Sequence, residues 1–203
     1  MRGLVARLRQ LRADREGATL MEFGFVAPVM ILMLMAGFET GYGIYLKTVA
    51  AGTLEARARS ASLEGATESQ FDSEVRRSMM NIMPAYARSN DNITLSKRNY
   101  TDYSRIDAPE KITTDVDGDG ILDVGDCWLD EDFNDTFGTN EGASGLGGPD
   151  DGVFYSVTIS FPRMFPMVSM MGLSENVSVT VRTLVINQPF GTQLERPTKC
   201  REV

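Results

Sequence analysis

The chain has 203 residues, 42% hydrophobic and 24% charged, with a net charge of −8 and no histidine. That length fits one membrane segment plus one modest globular domain, and the missing histidine removes the commonest general base and the commonest metal ligand together. The acidic balance argues against nucleic acid as a partner.

Charge is unevenly placed. In the first seventeen residues Arg2, Arg7, Arg9, Arg12 and Arg15 face only Asp14 and Glu16, net +3, while the rest carries fifteen basic and twenty-six acidic side chains, net −11. A basic leader before an apolar run keeps the N-terminus in the cytoplasm and sends the downstream chain outward. The run itself, Ala18 to Phe38, has twenty-one residues and one formal charge, Glu22. At about 1.5 Å per residue, a helix of that length matches a hydrocarbon core of about 30 Å. Three readings compete: a cleaved secretory signal, a permanent signal anchor, and a leader cut on the cytoplasmic side. A secretory signal needs small residues at a cut after the run, where Glu39, Tyr42 and Tyr45 fit poorly. A cut is better placed before the run, at Gly17. Glu22 costs about 3 kcal/mol at membrane depth on insertion scales, so it requires a partner or a neutral form.

Beyond the run, Leu46, Val49, Ala50, Leu54, Ala58 and Ala61 recur at helical spacing, which carries the same helix to about Ser62. A second amphipathic helix is expected over about 68–87, with Phe71, Val75, Met79, Ile82, Met83 and Tyr86 on one stripe and Pro84 bending or ending it. The methionines read as core filler. The period then changes: residues 92–99, 153–161 and 177–186 alternate near period two and predict strands of an antiparallel sheet. Between the first two lies a long Asp-, Gly- and Asn-rich insertion, about 101–152. Loops of that length without regular structure are functional, metal-held or mobile. The fold class is therefore α+β: a transmembrane helix over 18–45, after a basic leader 1–17, continuing into an extracytoplasmic domain 46–203.

The insertion holds 115-DVDGDGILDVGD-126. Asp115, Asp117 and Asp119 fall at positions 1, 3 and 5 of a calcium loop. Gly120 takes the tight turn, Ile121 the carbonyl position, Asp123 position 9 and Asp126 position 12. Calcium is a hard cation wanting six to eight oxygens, and alternate carboxylates around a sharp turn supply them. Asp replaces Glu at position 12 and no clear helix flanks the loop, so the pattern resembles isolated DxDxDG loops rather than a paired EF-hand. The alternative is an acidic, hydrated turn. Asp130, Glu131, Asp132, Asn134 and Asp135 either add ligands or solvate. Cys127 and Cys200, the only cysteines, are expected to form a disulfide in an exported chain, with free thiols or intermolecular bridges as alternatives. Trp128 reads as a packing anchor.

The junction REGATLME joins the basic leader, Gly17, the small Ala18, and Glu22 five residues into the chain after Gly17. It resembles a class III, type IV-like prepilin processing site. Cleavage between Gly17 and Ala18 would expose an amine at the membrane face, and Glu22 could pair with that amine on a neighbouring subunit, setting register. The stretch GATLMEFGFVAPVMILMLMAGFETGYGIY, with Glu22, Pro28 and Glu39, resembles the N-terminal signature of TadE-like proteins, minor pilins or pseudopilins of the tight-adherence (Flp-type) pilus. DCWLDEDFND, GLGGPDDGVFYSVTISFPRMFPM and VRTLVINQPF are similar to such proteins too. The resemblance implies export, removal of the leader by a prepilin peptidase, and partners among other pilin subunits and the assembly platform at the inner membrane. It also implies a role in pilus assembly, adhesion and surface attachment. The calcium loop is not implied by it. A permanently anchored calcium-binding surface protein is the second reading. A tethered hydrolase has little support without histidine or a nucleophile motif, and no enzymatic activity is expected.

Overall fold

The structure is a computed structural model and describes residues 16–63, 65–106, 108–139, 142–165, 172 and 174–202. The basic leader through Arg15 lies outside the described residues. Helix α1 runs from Glu16 to Ala61 and passes through Pro28 without a break. Pro28 lacks an N–H and its ring crowds the carbonyl four residues back, here that of Gly24, which offers no side chain to crowd further. The expected second helix is α2, Glu68–Ile82. It ends earlier than its apolar stripe suggests because Met83, preceding Pro84, takes an extended conformation, with φ −74° and ψ 151°. Ala85–Ala87 then form a separate 3₁₀ turn, and Tyr86 is exposed instead of sitting on the buried stripe.

The three expected strands are present as β1 (Ile93–Tyr100), β5 (Gly152–Pro162) and β6 (Asn176–Ile186). With the two-residue β4 (Ala143–Ser144) they form an antiparallel sheet ordered β4-β1-β5-β6. The insertion was expected to lack regular structure. It contains β4 and also β2 (Ile112–Thr114) and β3 (Cys127–Leu129), and a second antiparallel sheet orders β2-β3-β7 with β7 (Thr198–Cys200) from the tail. Strands of two or three residues are too short to show a period, and their partners are distant in sequence.

Contacts divide the chain into two compact units, one of residues 1–43 and 163–175, the other of 44–162 and 176–203. In the larger unit the buried stripe of α1 (Leu46, Ala50, Leu54, Ala58) meets the requirement that an amphipathic helix bury its apolar face. Phe71, Val75 and Met79 of α2 and alternate residues of β5 (Val153, Tyr155, Val157, Ile159) complete the core. The Phe71 and Tyr155 rings lie 4.9 Å apart, and burial pushes the Tyr155 hydroxyl up to about 12. Lys97 of β1 faces inward and is neutralised by Glu68 and Asp72 of α2. In the smaller unit the apolar helix exposes large side chains among the described residues: Phe25 is 78% exposed, and Leu20, Phe23, Met33 and Phe38 are likewise open.

The tail is held by charge as well as by strand pairing. Buried Arg196 donates from Nη2 to Asn99 at 2.7 Å and to Asp151 at 3.3 Å, lies 3.4 Å from Glu131, and stacks over the Phe133 ring at 4.9 Å. Asp151 also accepts from the Gly148 N–H and from Gln193, each at 2.8 Å. Such a buried set is costly to break, because removing one member leaves an uncompensated charge at about 3–5 kcal/mol. The second lock is covalent: Cys127 and Cys200 stand directly opposite in the β3–β7 ladder and are disulfide-bonded across a sequence separation of 73. Removing both cysteines (Cys127→Ala, Cys200→Ala) should cost about 4 kcal/mol and lower Tm by about 10 °C. Thermal unfolding of the full chain in detergent would measure this, and a reductant should lower the wild-type Tm while leaving the double variant unmoved.

Candidate functional site

The DxDxDG segment folds around its own carboxylates. Asp115 accepts from the N–H of Gly118 at 2.7 Å and of Gly120 at 2.9 Å, Asp117 from Asp119 at 3.3 Å, and Asp119 from Ile121 at 2.7 Å. Gly118 and Gly120 both have positive φ, 77° and 78°, which glycine adopts without the penalty a side chain would add. These turns bring one oxygen each of Asp115, Asp117 and Asp119 within 4.8 Å of one another. Oxygens bound to a common calcium at about 2.3–2.6 Å can lie up to about 5 Å apart, so the three fit one ion with little rearrangement.

Asp126 is placed differently. Its side chain is buried, 1% exposed for the residue, and accepts from the N–H of Val116 and of Asp123, each at 2.8 Å. It closes the loop by tying its start to its end. Arg201 adds a strap: its N–H donates to the Asp126 carbonyl at 2.9 Å, and its guanidinium donates to the Leu122 carbonyl at 2.9 Å. Three of the sequence-predicted ligands thus converge, Asp115, Asp117 and Asp119. Asp126 staples the loop, and the Asp123 N–H is held by that staple.

Electrostatics separate the three convergent acids. Backbone N–H bonds from Gly120 and Gly118 hold the Asp115 carboxyl below its usual range. For Asp117 the Asp119 N–H bond pulls the same way, but some loss of hydration, the neighbouring charges of Asp119 and Asp115 and a hydrogen bond shared with Asp115 outweigh it, and the carboxyl is raised. A raised carboxyl favours protonation, so the repulsion costs stability as pH rises through the carboxylate range. A divalent cation would reverse that cost.

A second acidic cluster lies in the same insertion. Glu110, Asp130 and Asp132 also bring oxygens within 4.8 Å of one another, and Glu110 and Asp130 are buried. The segment from Asp130 repeats the backbone of the segment from Asp115. Phe133 and Asp135, at the offsets of Gly118 and Gly120, both have φ 61°. Asp130 accepts from the N–H of Asn134 and Asp135, Asp132 from Asn134, and Asn134 from Thr136 at 2.6 Å. The signal for this repeat is the spacing Asp130-x-Asp132-x-Asn134. It was obscured because Phe and Asp stand where the first loop has glycine. Glu110, which sequence reasoning missed altogether, accepts from the N–H of Glu131 at 2.7 Å and of Gly138 at 2.8 Å. Burial raises its carboxyl above the usual range despite those bonds.

At the other end of the chain, Gly17 and Ala18 lie in the first turn of α1. Glu22 is exposed one turn further in, and among the described residues it has no ion-pair partner. Residues 17–59 match the family model of TadE-like proteins. The N-terminal helix is similar to that of TadE-like proteins. The match supports a role associated with the tight-adherence pilus and covers α1 from the proposed cleavage site almost to its end, stopping before α2, the sheets and both acidic clusters. No curated protein and no solved structure matches the chain. The matched helix is the one element of the chain, among the described residues, long and apolar enough to cross a membrane.

The loop geometry separates its acids experimentally. With calcium removed, Asp126→Ala should leave two backbone N–H groups unpaired and cost about 2–4 kcal/mol. Asp117→Asn keeps an acceptor and removes a repelled charge, so it should leave Tm unchanged or raise it. Thermal unfolding of both variants in chelator would check the contrast.

Proposed function

We propose that this chain is a TadE-like minor pilin or pseudopilin that serves assembly of a tight-adherence, Flp-type pilus and the adhesion that depends on it. The observation that carries the reading is the TadE-like match over a helix whose apolar run holds one carboxylate, Glu22, exposed and without an ion-pair partner among the described residues. A carboxylate so placed is poorly solvated in lipid and gains most from a cation supplied by another subunit. Cleavage between Gly17 and Ala18 by a prepilin peptidase supplies that cation as a new amino terminus. Open space surrounds Gly37 and Gly41, one turn apart, so a neighbouring helix can approach the bare backbone closely. The protein resides in the bacterial inner membrane, N-terminus in the cytoplasm and residues 46–203 in the periplasm, before joining other pilin subunits on the assembly platform. Its role is structural and non-catalytic, with no nucleic-acid partner.

Calcium belongs to the same proposal. Asp115, Asp117 and Asp119, with the Ile121 carbonyl, Asp123 and Asp126 around the same loop, would hold one ion that neutralises their mutual repulsion and orders the insertion. The convergence of three oxygens also favours a second reading, a permanently anchored calcium-binding surface protein that never enters a filament.

Mass spectrometry of the protein from membranes distinguishes the two: Ala18 as first residue is expected for the pilin, and an intact leader would favour the anchored protein. Glu22→Gln or Glu22→Ala should sharply lower incorporation into assemblies while leaving membrane insertion intact. Undiminished incorporation would defeat the register role.

Millimolar calcium should raise Tm of the full chain, a chelator should reverse the rise, and Asp115→Asn with Asp119→Asn should abolish it. The same Tm with and without calcium would remove the metal.

A further inference from the structure

Glu39 directly follows the apolar run of α1, and it is treated unlike Glu22. Its Oε1 accepts from Arg163 Nη1 at 2.8 Å, and the pair is largely shielded, with side chains 10% and 19% exposed. Arg163 follows the last residue of β5, and its position is fixed from three directions. Its N–H donates to the Glu175 carbonyl at 3.0 Å, closing the mouth of the β5–β6 connection, and its Nε donates to the Ser174 carbonyl. The guanidinium therefore spans from the base of that connection to the helix. Immediately beyond it come Met164, 39% exposed, and the half-buried Phe165. No formal charge occurs from Met164 to Ser174.

Depth follows from the helix. Ala18 to Phe38 spans about 30 Å, the thickness of a hydrocarbon core, so Glu39 stands at the extracytoplasmic boundary. Tyr42 and Tyr45 come within the next two turns, at the level where aromatic residues with a polar tip concentrate. A group hydrogen-bonded to Glu39 shares its depth. We infer that the start of the β5–β6 connection, Arg163 with Met164 and Phe165, is a second membrane-contacting element that rests in the interfacial layer of the bilayer, seated there by the Glu39–Arg163 ion pair. Pairing makes this seat possible. A lone carboxylate or guanidinium at that depth would be drawn to water, whereas the neutralised pair is tolerated and its apolar neighbours bury in the head-group boundary.

The inference requires α1 to span a bilayer but does not require pilus assembly, and the test separates these claims. Full-length Phe165→Trp and Met164→Trp proteins, with wild-type emission from Trp128 as baseline, are reconstituted into phosphatidylcholine vesicles containing lipids brominated near the head-group end of the chain. Phe25→Trp reports on the helix itself. Extra quenching at 164 or 165 together with quenching at 25 is the expected result. Glu39→Gln should remove most of the quenching at 165, and the exchanged pair Glu39→Arg, Arg163→Glu should restore it. Quenching at 25 with none at 164 or 165 would overturn the surface while leaving the spanning helix in place. No quenching at any of the three would overturn both, and quenching at 165 that survives Glu39→Gln would overturn the role of the ion pair.

Discussion

The organising constraint is the cost of a carboxylate that water cannot reach. Acids outnumber bases in this chain, and several lie on the apolar helix or in buried positions, so each of these needs a cation or a set of N–H donors. Along α1 the problem is met in two ways. Glu39 is neutralised within the chain by Arg163. Glu22 has no such partner among the described residues, and in the proposed assembly an acid left uncompensated on an apolar helix would give two copies a reason to associate in one register. Apolar packing alone could not supply that, since helices in lipid gain little from burying one apolar surface against another. In the proposed assembly the polar group would set position and the small residues distance.

In the insertion, where acids crowd one another and Glu110, Asp126 and Asp130 are buried, the backbone supplies the donors. Asp115, Asp119, Asp126, Glu110, Asp130 and Asp132 all accept main-chain N–H bonds. Those bonds stabilise the charged form of each carboxylate taken singly, but they do nothing about repulsion between neighbours. The raised Asp117 and Glu110 carboxyls show where repulsion or burial still dominates. These are the places where a cation would gain most. Left-handed backbone at Phe133 and Asp135 adds to the cost of the second loop, about 1–2 kcal/mol for each non-glycine residue, and the Arg196 guanidinium over the Phe133 ring helps to hold that conformation.

Elements with a sustained period were legible in the sequence. The buried stripes of α1 and α2 fall on Leu46, Ala50, Leu54, Phe71, Val75 and Met79 as the spacing requires, and the long strands were placed to within a residue or two. The parts that escaped had no local signature. The β2-β3-β7 sheet is made of three-residue strands whose pairing depends on a disulfide and on a tail more than seventy residues away. Glu110 lies twenty residues from the acids it joins, outside any motif. Arg163 reads as an ordinary charge at a strand end until the fold sets it beside Glu39. The DxDxDG loop was visible because its backbone demands glycine at two fixed offsets, and its repeat stayed hidden because other residues bear that cost.

The arrangement around Asp126 would let the proposed calcium loop close without flanking helices. In a helix–loop–helix site the exiting helix fixes the last ligand position. Here Asp126 is followed by Cys127, which enters β3 and is bonded to Cys200, while Arg201 pairs with the main chain of Gly125 and Asp126. The end of the loop is thus anchored covalently and by strand pairing before any ion arrives. The stretch from Asp115 to Ile121 is held by the turns around its own carboxylates, and three of those oxygens already converge. For the proposed calcium site, preorganisation of this kind would lower the entropy that an ion must overcome and so offset the shorter reach of aspartate at the closing position.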